Sequence, residues 1–147
     1  MIVDPITLQE VHDSWETVRD SRNILVGNLN VASIVGRPQS PQFRDLCFNL
    51  LMIVAFSVIE DVLRQLRDEG CFSCKDNRMN SLMKASEHKL PWVAFGLVDD
   101  GREHRNKSAH KRVFLKQDEC LKYVAAIETE LVAWSILPSA TPELWSW

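Results

Sequence analysis

Leu46-Cys47-Phe48-Asn49-Leu50-Leu51-Met52-Ile53-Val54-Ala55-Phe56-Ser57-Val58-Ile59 is the most apolar stretch of the chain, interrupted only by Asn49 and Ser57. Charged pairs bound it, Arg44-Asp45 before and Glu60-Asp61 after. Ser40-Pro41 upstream supplies an N-cap and first-turn pair, and Gly70 downstream supplies a stop. The span between them reads as one helix to about Glu69, near 28 residues or roughly 42 Å long. Its middle is apolar nearly all round, so other helices must cover it. The unbroken apolar part is too short to span a bilayer, and it is expected to be a buried core helix.

Working outward, Thr7 and Glu10 have capping-box spacing and predict a first helix from near Thr7. Leu8, Val11, Trp15, Val18, Leu25 and Leu29 follow with helix-like periodicity. Asn28 to Pro41 reads as a loop, with Gly36, Pro38 and Pro41 as breakers. After Gly70 comes a polar turn region to Asn80, then a short helix over about Ser81–Lys89 that Leu90-Pro91 ends. Pro91 is placed to open a fourth helix through Trp92, Phe95 and Val98. A fifth covers roughly Gln117 to Ile136, where Leu121, Val124, Ala125, Glu128, Leu131 and Val132 keep helical spacing. Residues 138–147 are unassigned, and the terminal Trp145 and Trp147 are expected to pack on this subunit or a partner. No period-two run argues for a strand. The expectation is an all-α bundle of about five helices around one long central apolar helix, a single domain over residues 1–147.

Composition fits that reading. The chain has 147 residues, 46% hydrophobic and 25% charged, with only five Gly and six Pro. That is a globular balance favouring long helices over many-turned β architecture. The start, Met1-Ile2-Val3-Asp4-Pro5, lacks the basic and apolar regions of a secretory signal, so a soluble cytoplasmic protein with no membrane partner is expected. Cys47, Cys71, Cys74 and Cys120 are then expected as reduced thiols. Cys71-Phe72-Ser73-Cys74 has zinc or redox spacing, but no second ligand pair repeats it and it follows a helix stop. A plain loop is the expected reading, with no metal and no cofactor.

Charge is distributed unevenly. Residues 102–116 hold six Arg or Lys (102, 105, 107, 111, 112 and 116) against Glu103, a formal +5 in a chain of −3, which leaves −8 elsewhere. Such an island points to an anion-binding surface, with phosphate the commonest anion. Within it Arg105, Asn106 and His110 combine a fixed cation, an amide and an imidazole. On a helix, five positions set Arg105 and His110 about 140° apart, whereas Arg102, Asn106 and His110 form one stripe. Arg105 can meet a His110 only if the helix ends or bends between them, or if that histidine belongs to a second subunit. Metal-free scission of an RNA phosphodiester needs an acid/base group at the 2′-hydroxyl or the leaving oxygen. It also needs a cation where charge builds on the phosphoryl oxygens. DNA lacks the attacking hydroxyl, so this chemistry selects RNA.

Arg105-Asn106-Lys107-Ser108-Ala109-His110 resembles the R-x(4–6)-H motif of the HEPN superfamily, in which a polar residue, often Asn, follows the Arg. The context is also similar from about Phe43 to Trp134: a long apolar helix with a late acidic residue (Glu60 or Asp61), a short helix, the motif, then an amphipathic helix. The resemblance implies a helical bundle and a metal-independent endoribonuclease, with a site assembled across a homodimer. In it His110 would be the acid/base, Arg105 the phosphate stabiliser and Asn106 a support to both, with Arg102, Lys107, Lys111 and Arg112 holding RNA phosphates. It also implies a toxin–antitoxin or phage-defence setting, with an antitoxin protein as partner. One branch carries a modified Tyr two residues after the His. Here that position is Arg112 and the chain's one tyrosine is Tyr123, so nucleotidylation of that kind does not carry over.

Two rival readings stand beside this one. A non-catalytic HEPN module binding nucleotide, RNA or protein is motivated by the acidic remainder of the chain. A zinc or redox protein would use Cys71 and Cys74. His12 and His88 are expected to be exposed, and His104 has only Ser108 at i+4 and no evident orienter. Glu60-Asp61 is expected to meet solvent or pair with Arg64, and Trp15, Trp92 and Trp134 to be core.

Overall fold

A central helix wrapped by four others organises the computed structural model, which describes residues 2–34 and 41–139. In chain order the helices are α1 (Pro5–Ile34), α2 (Pro41–Asp68), α3 (Met79–Ser86), α4 (Phe95–Lys111) and α5 (Gln117–Ala133), with no strand among the described residues. The predicted all-α bundle with one long apolar helix is what the chain forms. The predicted cap Ser40, the breakers Gly36 and Pro38, and the tail from residue 140 lie outside the described residues.

Helix α2 touches every other helix. Phe48, Met52, Ala55, Phe56, Ile59, Val62, Leu63 and Leu66 are fully buried, and α1, α5 and α3 add Trp15, Leu131 and Met83 to the same core. The expectation from Leu46–Ile59, too short a stretch to span a bilayer, does not extend to the whole helix. The helix continues well past its most apolar part, so Gln42–Asp68 is long and apolar enough to do so by length and composition. In the bundle, 56% of its most apolar window is buried by protein.

Helix ends depart from the predicted ones where tertiary partners intervene. Helix α1 starts at Pro5 because Asp4 caps it: the Asp4 carboxylate accepts the amides of Ile6 (3.4 Å) and Thr7 (3.2 Å). The Thr7 hydroxyl donates to it as well, and these bonds hold Asp4 below the usual carboxylate range. Glu69 at the end of α2 clamps the lead-in by accepting the amides of Val3, at 3.0 Å, and Asp4, at 3.3 Å. At its other end α1 runs on to Ile34, through the first half of the predicted loop. Gly70 ends α2 as expected. Its φ of +86° lets the Cys71 amide reach back to the Leu66 carbonyl (3.0 Å) and its own amide to Arg67 (2.9 Å), which closes the last turn.

Pro91 does not open α4, which begins at Phe95. The intervening residues are held by tertiary contacts. Val93 and Ala94 donate their amides to the buried carboxylate of Glu130 on α5. Trp92 stands edge-on to Trp134 (4.7 Å between centroids) and Phe95 (5.1 Å). Helix α5 stops at Ala133, ahead of the predicted Ile136, with Ser135 at φ 56° turning the chain. His12 is half-buried, not exposed, because its Nε2–H donates to the Ile136 carbonyl at 2.6 Å.

Candidate functional site

The basic island straddles two kinds of backbone. Residues up to Lys111 belong to α4, and Arg112, at φ 54°, turns the chain into a non-helical strap over 112–116 before α5. Helix α4 packs on α2, with Gly101 beside Phe56, Arg105 against Glu60 and Ser108 against Asn49. Gly101 permits this approach. A Cβ there would lie 2.7 Å from Tyr123 Cδ1 and 2.8 Å from Phe56 Cζ, inside any tolerable contact.

One turn further on, the Arg105 guanidinium lies 5.8 Å from the Phe56 ring centroid. Its Nη1 donates to Glu60 Oε2 and its Nη2 to Asn106 Oδ1, both at 3.3 Å. Glu60 also accepts Arg64, the partner expected from sequence, and Arg64 reaches on to Asp61 at 3.0 Å. The site therefore gathers Arg105, Asn106 and Glu60. Arg105 points inward, with its side chain 20% exposed. Arg102 is more enclosed at 11% and pairs with Asp99 (2.8 Å) and Glu103 (3.7 Å).

His110 is not part of that group. The helix neither ends nor bends between the two positions, so Arg105 turns to α2 and His110, exposed, turns outward. Lys107, Lys111, Arg112 and Lys116 are exposed too, and none forms an ion pair among the described residues.

Asn49 is the functional residue that sequence reasoning passed over. Its Nδ2 donates to the carbonyls of Asp45 (2.6 Å) and Leu115 (2.8 Å), and its Oδ1 accepts the Leu115 amide (3.1 Å) and the Ser108 hydroxyl (3.0 Å). Ser108 Oγ also lies 2.8 Å from the Val113 carbonyl. Every hydrogen-bonding position of the buried amide is thus used, two of them to fasten the strap at Leu115 and one to hold Ser108 of α4. The available signal was a lone Asn in the middle of an apolar core helix, where an unpaired amide is costly.

A second cluster flanks the site on the α5 side. Tyr123 donates its hydroxyl to Asp100, and burial, together with that carboxylate, holds the phenol well above its ordinary range. His104 Nε2 lies 3.6 Å from Asp100, so an acidic neighbour exists at i−4 where only i+4 had been considered. Cys71 and Cys74 are free and half-buried, Cys74 donating to the Asp76 carbonyl (3.3 Å). No group of three His, Cys, Asp or Glu side chains able to hold a metal occurs among the described residues.

No protein-family model, no curated protein and no solved structure matches the chain.

Proposed function

We propose that this protein is a metal-independent endoribonuclease of HEPN type, active as a homodimer. The observation that carries the reading is the arrangement on α4: Arg105 seated between Glu60, Phe56 and Asn106, and His110 free on another face of the same unbroken helix. One chain then offers an oriented cation and, separately, an accessible imidazole. A second copy brings its own His110 to the Arg105 side, and the two imidazoles serve as base and acid. One takes the 2′-hydroxyl proton as that oxygen attacks phosphorus; the other protonates the departing 5′-oxygen, leaving a 2′,3′-cyclic phosphate. Arg105 would move from Glu60 onto the phosphoryl oxygens as charge grows there.

An apolar surface supports the dimer. Part of the apolar surface of α2 is left uncovered. Leu50 and Val54 stand exposed in it, and with Ile24 and Leu25 of α1 they line a groove of about 430 Å³. A two-fold contact there would pair the α1–α2 face of one copy with that of the other. The setting proposed is a toxin–antitoxin or phage-defence pair, with an antitoxin that does not act on a tyrosine after His110, since Arg112 stands there.

Incubation of purified protein with single-stranded RNA in EDTA tests the reading. Cleavage should persist in chelator and disappear in Arg105→Ala and His110→Ala; cleavage surviving both substitutions would sink it. The ion pairs of Arg102 and Arg105 favour a second reading, a non-catalytic module that binds nucleotide, RNA or a partner protein. Induced expression discriminates: a nuclease arrests growth and His110→Ala relieves the arrest, whereas a binding module is harmless in both forms.

A further inference from the structure

The strap that follows α4, Arg112-Val113-Phe114-Leu115-Lys116, carries a feature that the catalytic reading does not use. It is a short non-helical segment lying on the surface, yet its backbone is tied down: Leu115 by both its amide and its carbonyl to Asn49, and Val113 by its carbonyl to Ser108. Leu115 turns inward against the core. Phe114 and Val113 before it stay outside, 37% and 56% exposed. The Phe114 ring makes no aromatic contact within the described residues. Lys111, Arg112 and Lys116 flank it, all exposed and free of ion pairs among the described residues. The nearest acidic residues along the chain, Asp118 and Glu119, come only in the first turn of α5.

An outward aromatic ring between unpaired cations, on a backbone that cannot collapse inward, is the arrangement by which proteins hold single-stranded nucleic acid. Bases stack on the ring and phosphates meet the cations, without sequence preference. We infer that the 111–116 edge is a single-strand RNA-binding platform on which Phe114 stacks one base while Lys111, Arg112 and Lys116 hold the neighbouring phosphates. A protein partner is the less favoured occupant, because apolar docking surfaces are depleted in lysine and this edge is not. The platform deepens the ribonuclease reading and rests on RNA being the substrate. Phe114 is four positions from His110, at most about 14 Å of chain, so the stacked base belongs to a nucleotide close to the scissile bond.

The test uses the full-length chain with His110→Ala, so that RNA is not consumed, and a fluorescein-labelled oligouridine followed by anisotropy. Phe114→Ala and Phe114→Leu should each weaken binding about fivefold or more, and Phe114→Trp should retain it, since stacking needs a ring and not merely apolar area. Wild-type affinity in Phe114→Leu or Phe114→Ala overturns the platform. So does the absence of any RNA binding, or a loss in Phe114→Ala of self-association by sedimentation with RNA affinity unchanged. Cleavage by the His110 protein is assayed separately. Cleavage with Phe114-independent binding removes the platform and leaves the nuclease; Phe114-dependent binding without cleavage removes the nuclease and leaves the platform.

Discussion

The two halves of the basic island have similar composition and different surroundings. Arg102 and Arg105, in the middle of α4, are enclosed and neutralised by Asp99, Glu103 and Glu60. Lys107, Lys111, Arg112 and Lys116, at its end and in the strap, face solvent with no acidic partner among the described residues. Formal charge along a sequence is therefore not charge presented at a surface. The inner half is fitted to orient one guanidinium precisely, and the outer half to attract a polyanion from a distance. Cations in the last turn of α4 also oppose the negative end of the helix dipole, so the outer half stabilises the helix whether or not RNA binds.

The largest expected effect tests whether the halves divide catalysis from binding. His110→Ala should lower single-turnover RNA cleavage by about 10²–10⁴-fold, the usual contribution of a positioned acid/base, with RNA affinity changed little. Equal loss of affinity and rate would erase the distinction. Next is the fastening between the halves. Asn49→Leu leaves the Leu115 amide and carbonyl without their buried partner and should cost about 3 kcal/mol. For a chain of this size that is a fall of roughly 6–12 °C in the melting midpoint by calorimetry. Exchange protection of the Leu115 amide should disappear with it.

Gly101→Ala perturbs the inner half alone. Its new methyl meets the Tyr123 and Phe56 rings and should destabilise the protein by about 1–3 kcal/mol in urea titration. Arg105 should lose its seat over Phe56, while the outer half keeps its affinity for RNA. Smaller still, Arg112→Gly relieves a residue held at positive φ and should stabilise the fold by about 0.4–1 kcal/mol. The same change removes one outer cation, so the salt slope of single-strand binding should flatten by about 0.7, whereas Arg102→Ala should leave that slope unchanged. An equal flattening in both would show that the inner ion pairs open in the complex.

Much of the fold was legible because helix signals are local. The apolar run of α2 and the left-handed Gly70 act through residues within a few positions, and both read correctly. The errors fall where a distant partner replaces a local signal. Pro91 has the chemistry to start a helix, but the Glu130 carboxylate holds the amides of Val93 and Ala94 and delays the start to Phe95. At α1, Asp4 and Glu69 displace the Thr7–Glu10 pair, and α1 simply continues past Asn28. His12 looked like a solvent-facing residue until Ile136 arrived from the far end of the chain.

For the candidate site the division is sharper. The sequence alone determined that the chain is a helical bundle built on α2, that a +5 segment lies in an otherwise acidic molecule, and that Arg105 and His110 diverge on a straight helix. Periodicity, composition and the roughly 100° step of the α-helix suffice for these. Only the tertiary structure decided which cations are free, that Glu60 seats Arg105 from 45 positions away, and that Asn49 fastens a strap 66 positions further on. Those pairings arise when α4 and the strap pack on α2, an arrangement that local propensity does not encode. A buried amide acquires its purpose only from the distant backbone that it satisfies.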